Sequence, residues 1–326
     1  MRGEMAPFAA QDATRSRRNL PSRRPELALS SLLIPLRRSG SAALSFFPGS
    51  APHATANRNR GLGPTLGRLG SLEVRLATTA REIRQAQRLR FSVFYEEMDA
   101  LPSAAVRLAR RDFDGFDPAC DHLLVIDHAR PGGEAVVGTY RLLRQEVAER
   151  GLGFYTAGEY DIGPLVRAHR PARFLELGRS CVLKDHRNKR TVELLWHGIW
   201  TYVLHHRIDV MLGCASLEGT DPDRLALPLS FLHHHARAPE EWRARAVSER
   251  YVSMDRLPRE AVDPKMALHA LPPLIKGYLR VGATFGDGAV VDRQFNTTDV
   301  LVVLPVGAIS PRYKAHFGPG ADRHAA

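Results

Sequence analysis

Residues 174–200 read F-L-E-L-G-R-S-C-V-L-K-D-H-R-N-K-R-T-V-E-L-L-W-H-G-I-W, and the reading of this stretch decides the fold. Its first half is apolar at alternate positions, with Leu175, Leu177, Cys181 and Leu183 on one face, interrupted there by Arg179, and Glu176 on the other, as a central strand allows. From Thr191 onward, Val192, Leu195, Ile199 and Val203 recur at spacings of three and four, which makes a helix with one apolar stripe. Thr191 is the expected N-cap, because its hydroxyl can accept from an orphan backbone N–H. Between strand and helix lies a loop carrying Lys184, His186, Arg187, Lys189 and Arg190. A cationic loop running into a helix N-terminus is an anion site, since unpaired amides and the helix dipole point the same way. A phosphorylated group is expected to dock there.

Composition narrows the classes. With 326 residues, 44% of them hydrophobic, the chain can bury one large core or two small ones. The net charge of +11 suggests nucleic acid until it is located. Residues 1–70 hold 11 arginines, no lysine and three acids (Glu4, Asp12, Glu26), so +8 of the charge lies there and only +3 in the remainder. No specific nucleic-acid surface is therefore expected of the body. The segment 1–70 is rich in Arg, Ser, Pro, Ala and Gly and lacks periodicity, and it reads as a disordered extension. A targeting segment or a start placed too far upstream are the other readings. Its longest apolar run, 27–36, is broken by serines and Pro35 and is too short for a membrane span. Cys120, Cys181 and Cys214 are odd in number and widely spaced, which suits a reducing cytoplasm rather than a disulfide framework or zinc site.

The ordered body is expected from about Leu72, where L-E-V-R-L-A alternates as a strand. A helix follows over 80–97, with Ile83, Ala86, Val93 and Phe94 buried. Arg90 shares that stripe, so it either snorkels to water at the edge or points inward to a carboxylate or phosphate. D-F-D-G-F-D at 112–117 lacks the remaining ligands of a calcium loop, so Asp114 and Asp117 bind a cationic group or cap the turn. A hairpin turn is expected at 131–133, followed by the strand A-V-V-G-T-Y-R-L-L. Arg141 in that strand needs an acidic partner if it faces inward, with Glu176 and Asp114 as candidates. Residues 209–214 read as one more strand, and 216–282 as a mainly helical insertion or lid. Neighbouring positions in a helix point about 100° apart, so His233, His234 and His235 are not expected to share a metal, and no metal site is expected. A helix over 272–282 opens on prolines and ends at Gly282. A turn at 286–288 and a buried strand at 299–305 close the body, and residues 319–326 form a tail.

This order of elements is that of a mixed α/β sheet. R-F-S-V-F at 90–94, D-F-D-G-F-D at 112–117, G-T-Y-R-L-L at 138–143 and E-L-G-R-S-C-V at 176–182 resemble the acyl-homoserine-lactone synthases, which have the Gcn5-related N-acyltransferase fold. Three later strings resemble a sister family more closely, the ornithine N-acyltransferases that make lyso-ornithine lipid from 3-hydroxyacyl carrier protein. They are C-A-S-L-E-G-T-D-P at 214–222, L-P-P-L-I-K-G-Y-L-R-V-G-A at 271–283 and G-D-G-A-V-V-D-R-Q-F-N-T-T-D-V at 286–300. The resemblance covers about 72–318. It implies a mixed twisted sheet flanked by helices over 71–318, with the insertion at 216–282.

What the resemblance implies chemically is transfer of a fatty acyl group from a carrier thioester to the α-amine of a small amino acid. Homoserine-lactone synthesis and acylation of lysine, glutamine or glycine are the alternatives. The loop 184–191 has none of the glycines with which acetyl-CoA members of the fold wrap a pyrophosphate. Its cations Lys184, Arg187, Lys189 and Arg190 suit the single phosphodiester and acidic surface of an acyl carrier protein. No separate cofactor is expected, because 4'-phosphopantetheine arrives on the carrier. Glu176, Asp114 or a water held by either is the expected base. Backbone amides of the splayed central strand are expected to stabilise the oxyanion. Arg90, Arg141 and Arg179 are expected to hold the acceptor carboxylate and the acidic cluster in register, with Phe94 and Asp117 beside the substrate. Cys181 reads as a small core residue, not a nucleophile. The acyl chain needs an apolar tunnel between the sheet and the insertion. The setting is cytoplasmic, with peripheral contact at the inner membrane allowed by the lipid product.

Overall fold

Strand and helix form where the alternation and the apolar stripe put them, and the rest of the chain is laid against that pair. The computed structural model describes residues 59–130 and 135–317. In chain order the strands are β1 (Gly67–Leu69), β2 (Leu72–Leu76), β3 (Asp121–Asp127), β4 (Ala135–Arg144), β5 (Phe174–Val182), β6 (Val210–Glu218), β7 (Tyr251–Val252), β8 (Thr284–Asp292) and β9 (Thr297–Pro305). They form one sheet in the order β1-β2-β3-β4-β5-β6-β9-β8-β7. Neighbours are antiparallel except β5 and β6, which are parallel. The helices are α1 (Ala80–Phe91), α2 (Ala104–Ala109), α3 (Gln145–Ala148), α4 (Gly163–Ala168), α5 (Lys189–His205), α6 (Ala226–His235), α7 (Pro264–Ala270), α8 (Pro273–Val281) and α9 (Pro311–Phe317). Parallel neighbours cannot be joined by a tight turn, and α5 supplies their crossover. A mixed α/β sheet flanked by helices is therefore what the chain builds.

Helix α5 covers one face of the sheet through Leu194, Leu195, Ile199 and Val203, which join Val74, Leu123 and Leu142 in the larger core cluster. Each such side chain contributes about 1.5–3 kcal/mol of burial. Val192, expected on this stripe, is 44% exposed. The cap is also displaced. Asn188, not Thr191, precedes the helix, and its side chain accepts from the Thr191 amide at 3.2 Å. Lys189 and Arg190 thus belong to the first helical turn rather than to a loop. Asn competes with Thr for this role on equal or better terms, and only the backbone path shows which residue takes it.

Helix α1 starts at a capping box. Thr79 accepts from the Glu82 amide at 3.2 Å while Glu82 accepts from the Thr79 amide at 2.9 Å. Its continuation, Ser92–Glu97, is π-helical, with the Met98 amide reaching back to the Val93 carbonyl. That extra residue per turn re-aims Phe94 and Tyr95.

Three other expectations shift. Residues 286–288 lie within β8, where a register break between Phe285 and Ala289 replaces a turn. The insertion at 216–282 begins as the end of β6, and besides α6, α7 and α8 it contributes the edge strand β7. The end of α8 is as expected, with Gly282 in the left-handed region at φ +95°, which a side chain would strain. The hairpin turn at 131–133 and the tail 319–326 fall outside the described residues. Among the described residues no helix is long and apolar enough to cross a membrane.

The extension read over 1–70 lies outside the described residues as far as 58. Beyond that point it is corrected, because residues 59–70 dock on the folded body and Gly67–Leu69 joins the sheet as β1. Leu66 is 7% exposed and its carbonyl lies 3.0 Å from His197 Nε2, β1 pairs with β2, and Asn59 donates to Asp121. A chain starting at residue 71 is expected to be about 2–5 kcal/mol less stable than one starting at residue 59. Urea denaturation of the two measures this, and equal midpoints would contradict the docking of β1.

Candidate active site

The parallel pairing of β5 with β6 lasts only from Phe174–Glu176 against Val210–Leu212. Beyond it β6 stays with β9 while β5 follows β4 through a bulge. On β4, Thr139 and Arg141 pair with Cys181 and Gly178, leaving Arg179 and Ser180 outside the ladder. Arg179 is left-handed at φ +50°. Such a bulge kinks the strand and turns a side chain out of its alternation. The diverging strands enclose a cavity of about 650 Å3. Residues 177–182 of β5 line one side and Cys214, Ala215 and Ser216 the other. Val93, Leu195, Trp196, Pro272 and Leu274 give it apolar walls. The last two come from the insertion, where the acyl tunnel is expected.

Behind this backbone sits a closed ring of six charges. Arg90 is fully buried; its Nε lies 2.7 Å from Asp112, and its Nη2 lies 2.9 Å from Asp117. Arg141 bonds Asp114 at 2.6 and 2.7 Å and lies 3.4 Å from Asp117. Arg179 lies 3.4 Å from Asp112 and 3.5 Å from Asp114. Three guanidiniums and three carboxylates therefore alternate, which is how buried charge is tolerated. Arg90 points inward, and the snorkelling alternative fails. The partner of Arg141 is Asp114, not Glu176. Asp114 also caps its own turn by accepting from the Phe116 amide at 2.9 Å. Burial pushes its carboxyl up, but Arg141 and Arg179 outweigh that and hold it below the usual carboxylate range.

Arg179 links the ring to the cavity, stacked between Tyr155 at 4.9 Å and Phe295 at 4.7 Å. Phe94 meets Phe295 edge-on at 5.7 Å. Glu176 also lines the cavity. Its oxygens accept from the Tyr155 amide at 2.9 Å, the Thr156 amide at 2.6 Å and the Thr156 hydroxyl at 2.5 Å. Burial nevertheless raises its pKa above the ordinary glutamate value. The cysteine thiols are held protonated by burial, Cys120 up to about 12 and Cys181 and Cys214 also upward, so none offers a thiolate nucleophile.

The residues singled out in the sequence thus divide. Phe94, Arg141, Glu176, Arg179 and Arg187 line the cavity. Arg90, Asp114 and Asp117 stand behind it and reach a substrate only through the groups they hold. The loop cations do not converge. Arg187 bonds Glu97 at 2.5 and 2.8 Å, Lys189 extends outward near Glu193 at 3.7 Å, and Arg190 turns back toward the Leu69 carbonyl at 3.4 Å. Lys184 is exposed. His233 and His234 both lie near Asp255, but His234 Nε2 is 2.9 Å from the Leu257 carbonyl. As a donor there, that nitrogen has no lone pair for a metal. Sequence reasoning missed Asp112 as a ring member, Tyr155 and Thr156 as the partners of Glu176, and Phe295 as half of the Arg179 clamp. The first aspartate of D-F-D-G-F-D and the string at 286–300, which holds Phe295, were usable signals, whereas Tyr155 and Thr156 lie on a turn without a motif.

Comparison with known proteins agrees with this geometry. The acetyltransferase (GNAT) domain family matches residues 89–197, the span from Arg90 through the bulge to α5. The L-ornithine N(alpha)-acyltransferase of Agrobacterium fabrum is 56% identical over 272 residues, 82% of this chain and 92% of that protein. The protein of the same name from Rhizobium meliloti is 56% identical over 260 residues, 79% of this chain and 88% of its own. That of Rhodobacter capsulatus is 45% identical over 249 residues, 76% and 95% respectively. With a sheet wedged open at its parallel pair and relatives this similar along nearly their whole length, the chain belongs to the L-ornithine N(alpha)-acyltransferase family.

Proposed function

We propose that the protein transfers a 3-hydroxyacyl group from acyl carrier protein to the α-amine of L-ornithine, giving a lyso-ornithine lipid. The observation that carries this reading is the wedge itself, with apolar walls for a chain at one side and polar backbone and Arg179 at the other. A thioester carbonyl seated beside the bulge would meet backbone amides of the Arg179–Ser180 step, where the register of β5 against β4 is broken. Donors preorganised where negative charge develops are the largest usual source of acyl-transfer rate. The acceptor amine arrives mostly protonated at neutral pH. Glu176, or a water it holds, takes that proton. Its carboxylate has lone pairs beyond the three bonds it accepts, and burial has moved its pKa toward neutrality. Asp114, bound to Arg141, is left with the ring. The amine then attacks the carbonyl carbon, the C–N bond forms, the C–S bond breaks, and the pantetheine thiol leaves with a proton.

Lys184, Arg187, Lys189 and Arg190 are exposed at the open edge of β5 and the first turn of α5. Spread rather than convergent, they suit the acidic surface of a carrier better than one phosphate. With substrate in the cytoplasm and product bound for a membrane, the reaction belongs at the inner face of that membrane.

The experiment supplies 3-hydroxyacyl carrier protein with equal ornithine, lysine, glutamine, glycine and S-adenosylmethionine, and reads products by mass spectrometry. The ornithine α-amide is expected; a lactone or bare hydrolysis would reject the reading. In the triple variant Arg187→Glu, Lys189→Glu, Arg190→Glu, KM for the carrier is expected to rise about 10- to 100-fold. The same acyl group on free pantetheine should be affected much less. Equal losses on both donors would remove the carrier from the account.

A further inference from the structure

A second set of acids meets the cavity where β6, β8 and β9 run beside the turn that follows Thr156. It consists of Glu159, Asp292 at the end of β8, and Asp299 on β9 opposite Ser216 and Val290. One carboxylate oxygen from each lies within 4.8 Å of the others. Unlike the ring of Asp112, Asp114 and Asp117, this set is not matched one for one by cations among the described residues. Arg250 approaches Glu159 at 3.5 Å, and Asp292 accepts from the Gln294 and Phe295 amides at 2.8 and 3.1 Å. Asp299 is only 7% exposed and lines the cavity, yet its Oδ1 has no hydrogen-bond partner; Glu159 Oε2, in a residue 3% exposed, also has none. Buried carboxylate oxygens are rarely left so unless something else completes them.

We infer that Glu159, Asp292 and Asp299 bind the side-chain ammonium of the acceptor and so select a diamino acid. This rests on the reading that the chain acylates ornithine. At the moment of attack the α-amine is neutral and the acceptor carboxylate is repelled by these acids. The side-chain ammonium is then the one cation left, and its three N–H donors match three acceptors. An acceptor of the same length without that ammonium leaves Asp299 Oδ1 buried without a partner. A site built to bond a substrate polar group discriminates strongly against its absence.

The charge state of the empty site agrees. Burial, and then the Glu159 carboxylate, push Asp299 up to about 7 against the opposing Ser216 and Thr297 hydroxyls. Glu159 is also raised by burial, with Arg250, Arg179 and the Cys214 thiol opposing and Asp292 reinforcing. Tyr160, the remaining titratable group facing Asp299, stays protonated. A cation seated among these acids lowers their pKa values, so ornithine binding near pH 7 releases protons and norvaline binding does not.

The test compares ornithine with norvaline as acceptors for the full chain and for Asp299→Asn and Asp292→Asn, with folding checked by thermal melting. The ratio of kcat/KM for ornithine over norvaline is expected to fall about 10- to 100-fold in the variants. Calorimetry of the unmodified chain in two buffers of different ionisation enthalpy should show proton release with ornithine alone, a readout that needs no variant. Unchanged ratios, or equal proton release with norvaline, overturn the inference. So does tight binding of Mg2+ or Ca2+ that is lost in Asp292→Asn, which would make this a metal site. A parent chain that does not acylate ornithine refutes instead the proposed function on which the inference stands.

Discussion

Replacing Arg90 with methionine is expected to destabilise the protein by about 3–5 kcal/mol, a large part of the 5–15 kcal/mol available to a typical domain. Arg90 is fully buried and bonds the carboxylate and carbonyl of Asp112 and both oxygens of Asp117. Methionine fills the space but leaves two aspartates behind it with one cation fewer. Lysine at this position keeps the charge but has no planar fork, so it should recover only part of the loss. Urea denaturation at neutral pH measures both. A methionine variant within about 1 kcal/mol of the parent would show that the ring is dispensable for folding. The ring also sets an acid limit. Asp114 has its folded pKa below the unfolded value, so its contribution is complete above about pH 4 and is lost as pH falls through the lower folded pKa.

Gly213→Ala should reduce acyl transfer by about 100-fold or more while the chain still folds. A Cβ at Gly213 would lie 2.3 Å from the Leu177 carbonyl oxygen, and backbone cannot rotate away as a side chain can. The clash falls where β5 leaves β6, one step beyond the last paired residues, Glu176 and Leu212. Relieving it must push β5 outward at Leu177–Gly178, the backbone that lines the cavity. Overpacking of this kind costs about 1–3 kcal/mol of stability, which a folded domain tolerates. Displacing reacting groups by about 1 Å is far more damaging to rate. Melting temperature and kcat measured on the same preparation separate the two effects. An alanine variant with parental kcat would mean that the width of the wedge is not what positions the thioester.

Much of the architecture was legible because it follows from local periodicity. Alternation located β2 and β5, a continuous apolar run located β9, the apolar stripe located α5, and prolines with Gly282 bounded α8. Failures occurred where two local solutions compete. Asn188 and Thr191 can both cap α5, and residues 286–288 have turn composition yet stay within β8, as a bulge where the register against β9 breaks. The site was legible in part. Glu176, Arg179 and Arg141 stand in motifs, and all three line the cavity. Glu159 has no such motif, and Asp292 and Asp299 stand in the string at 286–300, which marks the family but not the role of either residue.

The sequence by itself determined the mixed α/β class, the strand–loop–helix at 174–200, the acidic turn at 112–117 and the family resemblance, since each depends on residues close in the chain. Tertiary structure alone decided which charges neutralise one another and which do not. Arg90 meets Asp112 across 22 residues, Arg179 meets Asp114 across 65, and Asp299 on β9 comes within 4.8 Å of Glu159 on a distant turn. Pairing of buried charges depends on distance and desolvation, and neither quantity is encoded in spacing along the chain.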